Sequence, residues 1–159
     1  MIGNEVMGVA TDEFYSQWKQ DPILASRIAY LDKMSQDKNP LKVTAALTFM
    51  EGAVLFSIFG YFKGFNSRGH NKISHFVSGI DASAKDENFH SLASSALFQV
   101  CLKERIAAGN HSDKDHDSLK RAIRKIAKTV YEHELRIIEK LFEKGDTAVI
   151  SKKELIEFL

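Results

Sequence analysis

Residues 43–62 read VTAALTFMEGAVLFSIFGYF, and Glu51 is the single charged side chain in that run. A helix that is apolar on every side belongs inside a protein core or a membrane. A carboxylate cannot stand unpartnered in either place, so Glu51 must be protonated, paired or bound to a metal. Asn39-Pro40, ahead of the run, is a helix start: a side-chain cap followed by a residue with no amide to satisfy. Residues 64–71 (GFNSRGHN) read as the loop that ends it, so one helix is expected over residues 40–65.

The run is long enough to cross a bilayer, and Lys42 and Lys63 flank it. Glu51 at its centre, the threonines inside it and the lack of a second comparable segment argue against a span, so no membrane partner is expected.

The flanking sequence reads as further helices, with no alternating run long enough for a strand. Thr11 is placed to cap a helix over residues 12–19, and Asp21-Pro22 to open one over residues 22–35, with Ile23, Leu24, Ile28, Ala29 and Leu31 as its apolar stripe. A long helix is expected over residues 72–107, with Phe76, Ile80, Ala84, Glu87, His90, Ser94 and Leu97 on one face and Gly79 as a site of bending. Residues 109–117 (GNHSDKDHD) read as a polar loop. Another long helix is expected over residues 118–143, with Leu119, Ala122, Ile126, Val130, His133, Ile137 and Leu141 spaced for one face and Gly145 as its C′ residue. Ser151 and Glu154 form a capping box that starts a last helix. The fold class is all-α, a partial ferritin-like bundle of about five to six helices, and residues 1–159 read as a single helical domain.

The chain has 159 residues and 44% apolar composition, enough for a real core. A formal net charge of +1, with mixed charges over residues 114–128, leaves no electrostatic footprint for nucleic acid. The single cysteine, Cys101, excludes an intrachain disulfide and fits a cytoplasmic location. Residues 1–11 (MIGNEVMGVAT) have neither the basic nor the long apolar region of a secretion signal.

The chemistry is carried by Lys85-Asp-Glu-Asn-Phe-His-Ser91. Glu87 and His90 are three apart, which on a helix puts them on one face a turn apart. Together they can ligate one metal ion, and Glu51 from a facing helix could complete or bridge the site. A buried Glu followed by Glu-x-x-His is half the ligand set of a carboxylate-bridged di-metal bundle. Carboxylates suit such centres because they neutralise hard cations and shift between terminal and bridging modes. Asp86 could orient the imidazole from behind. Without a metal, Glu51 and His90 would form a buried hydrogen-bonded pair. His133 reads as a helix-surface histidine, His70 and His75 flank a loop and lack a carboxylate at ligand spacing, and His111 and His116 sit in a solvated loop. Cys101 and Tyr61 read as packing residues.

At these residues the chain resembles the small, radical-generating subunit of class I ribonucleotide reductase. Phe49-Met-Glu51-Gly-Ala-Val-Leu-Phe-Ser-Ile-Phe59 is similar to the family's apolar helix with its bridging Glu. Ala84-Lys-Asp-Glu87-Asn-Phe-His90 is similar to its Arg-Asp-Glu-x-x-His segment, with Lys85 for Arg. Residues 25–32, 132–145 and 149–155 resemble flanking helices, so the likeness runs from about Asp12 onward. It implies Glu51, Glu87 and His90 as ligands to iron or manganese and Asp86 in the radical-transfer path. It also implies the large catalytic subunit as partner and deoxyribonucleotide synthesis as function. Leu55 stands where the family usually has an aromatic. The family's other ligands (an Asp and an earlier Glu-x-x-His) and its radical tyrosine are expected ahead of residue 1, and its docking tail after Leu159. The chain is accordingly expected to be inactive alone, to need an N-terminal half of the small subunit as a separate chain, or to self-associate through an exposed apolar face. The alternatives are another ferritin-like di-iron or di-manganese oxidase, and a metal-free helical interaction protein.

Overall fold

A computed structural model describes residue 5 and residues 8–159. The other residues of the segment read as lacking a secretion signal lie outside the described residues. The described residues are helical and carry no strand, the all-α fold expected. Their contacts form two compact units, one ending at Lys33 and one spanning Met34–Leu159.

In the first unit, α1 (Asp12–Ser16) is capped by Thr11, whose hydroxyl accepts from the Phe14 amide at 3.2 Å. The helix expected to run on to residue 19 instead tightens after Ser16 into a 3-10 turn, Gln17–Gln20. Asp21 Oδ1 accepts from the Ile23 and Leu24 amides at 2.9 and 3.0 Å and starts α2 (Pro22–Ser35). Ile28, placed on the apolar stripe by spacing, is exposed, while neighbouring Arg27 is buried.

The second unit holds α3 (Pro40–Ala53), α4 (Phe56–Gly64), α5 (Ser74–Ala107), α6 (Asp113–Leu141) and α7 (Lys152–Phe158). Asn39 caps α3, its Oδ1 accepting from the Leu41 amide at 3.1 Å. The single helix expected over residues 40–65 is broken. Val54 is extended, and Leu55 takes a left-handed conformation at φ +77° before α4 resumes. By length and composition Pro40–Gly64 could cross a membrane, but the break divides it into two helices.

α3 lies between α5 and α6, and among the described residues α5 and α6 make no helix–helix packing of their own. α3 thus has neighbours on two sides. This corrects the expectation of a helix buried all round: of its residues only Leu41, Thr44, Ala45 and Ala46 are buried. α4 reaches α5, α6 and α7 and closes a small core of Ile138, Phe142 and Leu155, against which Tyr61 packs. Tyr61 meets the Phe142 ring edge-on at 5.7 Å, the packing role read for it.

α5 runs unbroken past Gly79 and turns Val77 and Ile80 inward. Phe76 and Leu97, expected on the inward face, are exposed, and the side chains of α5 that meet α3 form a narrower stripe at Glu87, His90 and Ser91. α6 starts five residues earlier than expected. A capping box of Ser112 and Asp115 was read as loop, and it satisfies the first helical amides. α6 also stops at Leu141, so Gly145 (φ +96°) serves the following turn rather than the C′ position. The inward residues of α6 are Leu119, Ile126, Val130, His133, Glu134, Ile137 and Ile138. His133 is therefore buried, not the surface histidine expected. The Ser151–Glu154 capping box opens α7 as read.

Candidate metal centre

The last turn of α3 faces the middle of α5. There Glu51, Glu87 and His90 each offer one ligand atom, all within 4.8 Å of one another. His90 Nδ1 lies 3.4 Å from Glu87 Oε2 and 3.7 Å from Glu51 Oε2. The i,i+3 spacing on α5 makes the first contact, and the α3–α5 packing makes the second.

The two carboxylates hydrogen-bond to each other and shift in opposite directions. The hydrogen bond with Glu87, then burial, raises the Glu51 carboxyl above its ordinary value. The same hydrogen bond, aided by His90, lowers the Glu87 carboxyl. When the pair holds one proton, it sits on Glu51 and is donated to Glu87. Like charges this close need either that proton or a cation between them.

The site is open. The side chains of Glu51, Glu87 and His90 are 30%, 26% and 49% exposed, so Glu51 is half-buried rather than dry. The open side of α3 is the reason. Asp86 stands on the far side of the imidazole, its Oδ1 3.8 Å from His90 Nε2. That distance is an ion-pair separation longer than a hydrogen bond, and the Asp86 side chain is 71% exposed.

The donor set fits a divalent metal: two carboxylates and one imidazole nitrogen converge on a point reachable from solvent. Oxygen-rich ligands with imidazole suit iron or manganese. A ferritin-like di-metal centre uses four carboxylates and two imidazoles; the two carboxylates and one imidazole here match half of that set in type.

Sequence reasoning missed one buried carboxyl. Glu134 is fully buried on α6, and its Oε2 accepts from the Ser57 hydroxyl and, at 3.4 Å, from the Ser57 amide. Its spacing from Val130 and Ile137 could have marked it as inward. Leu55, noted in the sequence for replacing an aromatic, lies four residues after Glu51 in left-handed backbone, which the sequence did not signal. Of the histidines set aside, His111 and His116 meet ring to ring at 5.7 Å, and His70 and His75 are exposed.

A family model described as ribonucleotide reductase, small chain, matches residues 5–159. The chain belongs to the ribonucleotide reductase small-chain family. No curated protein and no solved structure matches it. Members of the ribonucleotide reductase small-chain family are ferritin-like helical bundles, in keeping with the all-α architecture. The match spans both sides of the candidate cluster, α3 with Glu51 and α5 with Glu87 and His90.

Proposed function

We propose that residues 1–159, as one helical domain of a ribonucleotide reductase small subunit, contribute half the ligands of a di-metal centre that generates the radical for deoxyribonucleotide synthesis. Glu51 and Glu87 are the carboxylate ligands and His90 the imidazole ligand. Asp86 holds the His90 ring and lies on the radical-transfer path. The observation that carries this reading is the convergence of three donor atoms from two helices within 4.8 Å, inside a chain of this family.

When bound, iron or manganese supplies the one-electron oxidation that this radical chemistry requires. The residues here do the preparatory work. Glu51 and Glu87 would hold the cation as deprotonated carboxylates. His90 presents Nδ1 to the same point, with Asp86 on its Nε2 side. The remaining ligands come from outside residues 1–159, either from an N-terminal half in another chain or from more of the same polypeptide. The partners are the large catalytic subunit and a second small-subunit chain, and the location is cytoplasmic. The chain by itself is inactive in nucleotide reduction.

Elemental analysis of the purified chain after incubation with Fe(II) or Mn(II) tests the reading, for wild type and Glu87→Ala. Metal retained by wild type and lost in the variant is expected. Equal uptake by both sinks the ligand assignment. Failure of both to bind, with Glu51→Leu more stable than wild type, favours a metal-free bundle, because removing an unmetallated carboxylate relieves its desolvation.

A further inference from the structure

α3 and α5 touch at the metal-ligand cluster through a contact that none of the ligands makes. Gly52 follows Glu51, and a Cβ built on it would lie 2.7 Å from Ser91 Oγ and 3.4 Å from Ser91 Cβ. Ser91 follows His90, and its hydroxyl donates to the Thr48 carbonyl at 2.9 Å. Thr48 is four residues before Gly52, so α-helical geometry aims the Gly52 amide at that same carbonyl. The hydroxyl therefore sits in the notch left by the missing Cβ and grips the turn that carries Glu51.

Nothing else asks for glycine at this position. Gly52 has no positive φ, and it lies on the exposed edge of α3 rather than in the core. A helix-interior glycine costs stability relative to alanine. The Ser91 contact is the feature that a side chain at 52 would disturb. Such a side chain would either drive the hydroxyl off the Thr48 carbonyl or push α3 away from α5. Functional side chains must be held to within about 0.5 Å of their working geometry, and ligand distances to about 0.2 Å.

We propose that Gly52 and Ser91 are positioning residues: together they set the distance at which Glu51 faces Glu87 and His90. The proposal rests on the metal reading above and extends it to two residues that touch no metal.

Four proteins test it: wild type, Gly52→Ala, Ser91→Gly and the double variant. The first readout is Mn(II) binding, followed by loss of the free-ion electron paramagnetic resonance signal. Gly52→Ala is expected to weaken binding on the order of 10-fold, the size seen when groups behind metal ligands are removed. Ser91→Gly alone weakens it less. In the double variant the new methyl occupies the space vacated by Ser91, and binding returns to the Ser91→Gly level. Rescue shows that the loss at residue 52 acts through residue 91, and thermal unfolding of the same four proteins separates displaced ligands (weaker binding at unchanged stability) from a weakened fold. Wild-type affinity in Gly52→Ala, or no rescue in the double variant, overturns the proposal.

The second readout needs no ion: the His90 ring nitrogens in a long-range proton–nitrogen spectrum of the metal-free chain. Gly52→Ala is expected to displace the Nδ1 resonance and the double variant to restore it. If wild type takes up no Mn(II), the metal reading fails and this spectrum alone judges the positioning pair. An Nδ1 resonance unmoved in Gly52→Ala refutes it.

Discussion

Gly60→Ala tests the packing that seats α4, and with it the break after Glu51, on the small core. A Cβ on Gly60 would lie 2.8 Å from Leu155 Cδ1 and from Phe158 Cδ1 and Cε1. Phe158 is half exposed near the end of the chain and can swing aside. Leu155 is fully buried against Ile138 and Phe142 and cannot. Carbon atoms rest at about 3.5–4.0 Å, so α4 and α7 must part by about 0.7–1.2 Å. Overpacking of this kind costs about 1–3 kcal/mol. Replacing a helical glycine by alanine offsets about 0.5–1 kcal/mol of that. The net expectation is a loss of up to about 2.5 kcal/mol, centred near 1 kcal/mol. For a chain of this size a loss of about 1 kcal/mol lowers the unfolding midpoint by about 2–4 °C. Gly79→Ala is the internal control. Gly79 is helical with nothing within 4 Å of its built Cβ, so the same substitution should gain about 0.5–1 kcal/mol there. Thermal unfolding of the two variants beside wild type, followed by far-UV circular dichroism, reads both. If Gly60→Ala is as stable as Gly79→Ala, α4 and α7 do not meet at Gly60 and the reasoning fails.

Two other perturbations bear on the remaining buried and charged contacts. Ser57→Ala removes the hydroxyl that donates to the fully buried Glu134 carboxyl, and should cost about 1–3 kcal/mol in urea unfolding; an unchanged midpoint would mean that Glu134 does not depend on Ser57. The Glu154 carboxyl is held down to about 2 by the Ser151 amide, then the Ser151 hydroxyl and Arg68. A carboxyl lowered in the folded state stabilises the fold above its unfolded value, near 4.5, and that stabilisation is lost as pH falls toward about 2. Wild type should therefore exceed Glu154→Gln in stability above pH 4.5, with the gap closing toward pH 2; a gap that widens on acidification would contradict the capping box.

Strain at Leu55 falls within a turn of Glu51. A left-handed non-glycine residue costs on the order of 1–3 kcal/mol and persists only where its surroundings hold it. Here the surroundings are visible: Ser57 is fixed on Glu134, and Gly60 is seated against α7. The break and the metal-ligand cluster thus share one segment, anchored on α6 and α7 at one end and on α5 at the other.

Several features were legible in the sequence because their causes are local. Thr11, Asp21, Asn39 and Ser151 each cap a helix through a side chain two or three residues from the amide it satisfies, and short-range hydrogen bonding is written in adjacent residues. Glu87 and His90 share a face of α5 because helical geometry places positions three apart together. The amphipathic spacing of α6 marked most of its inward residues in the same way. Where reading erred, the decisive partner lay far away in the chain. The apolar run around Glu51 reads as one buried helix, but it breaks at Leu55, and just past the break Ser57 is held by Glu134, seventy-seven residues further on. Among the described residues α3 packs chiefly against α5 and α6, which leaves Glu51 partly exposed, and no local pattern encodes the number of neighbours. Sequence alone determined that three ligand-type side chains stand on two helices. Tertiary structure decided that α3 and α5 cross where those side chains meet, because interhelical distance is set by the atoms at the crossing, here a missing Cβ at Gly52 and the hydroxyl of Ser91.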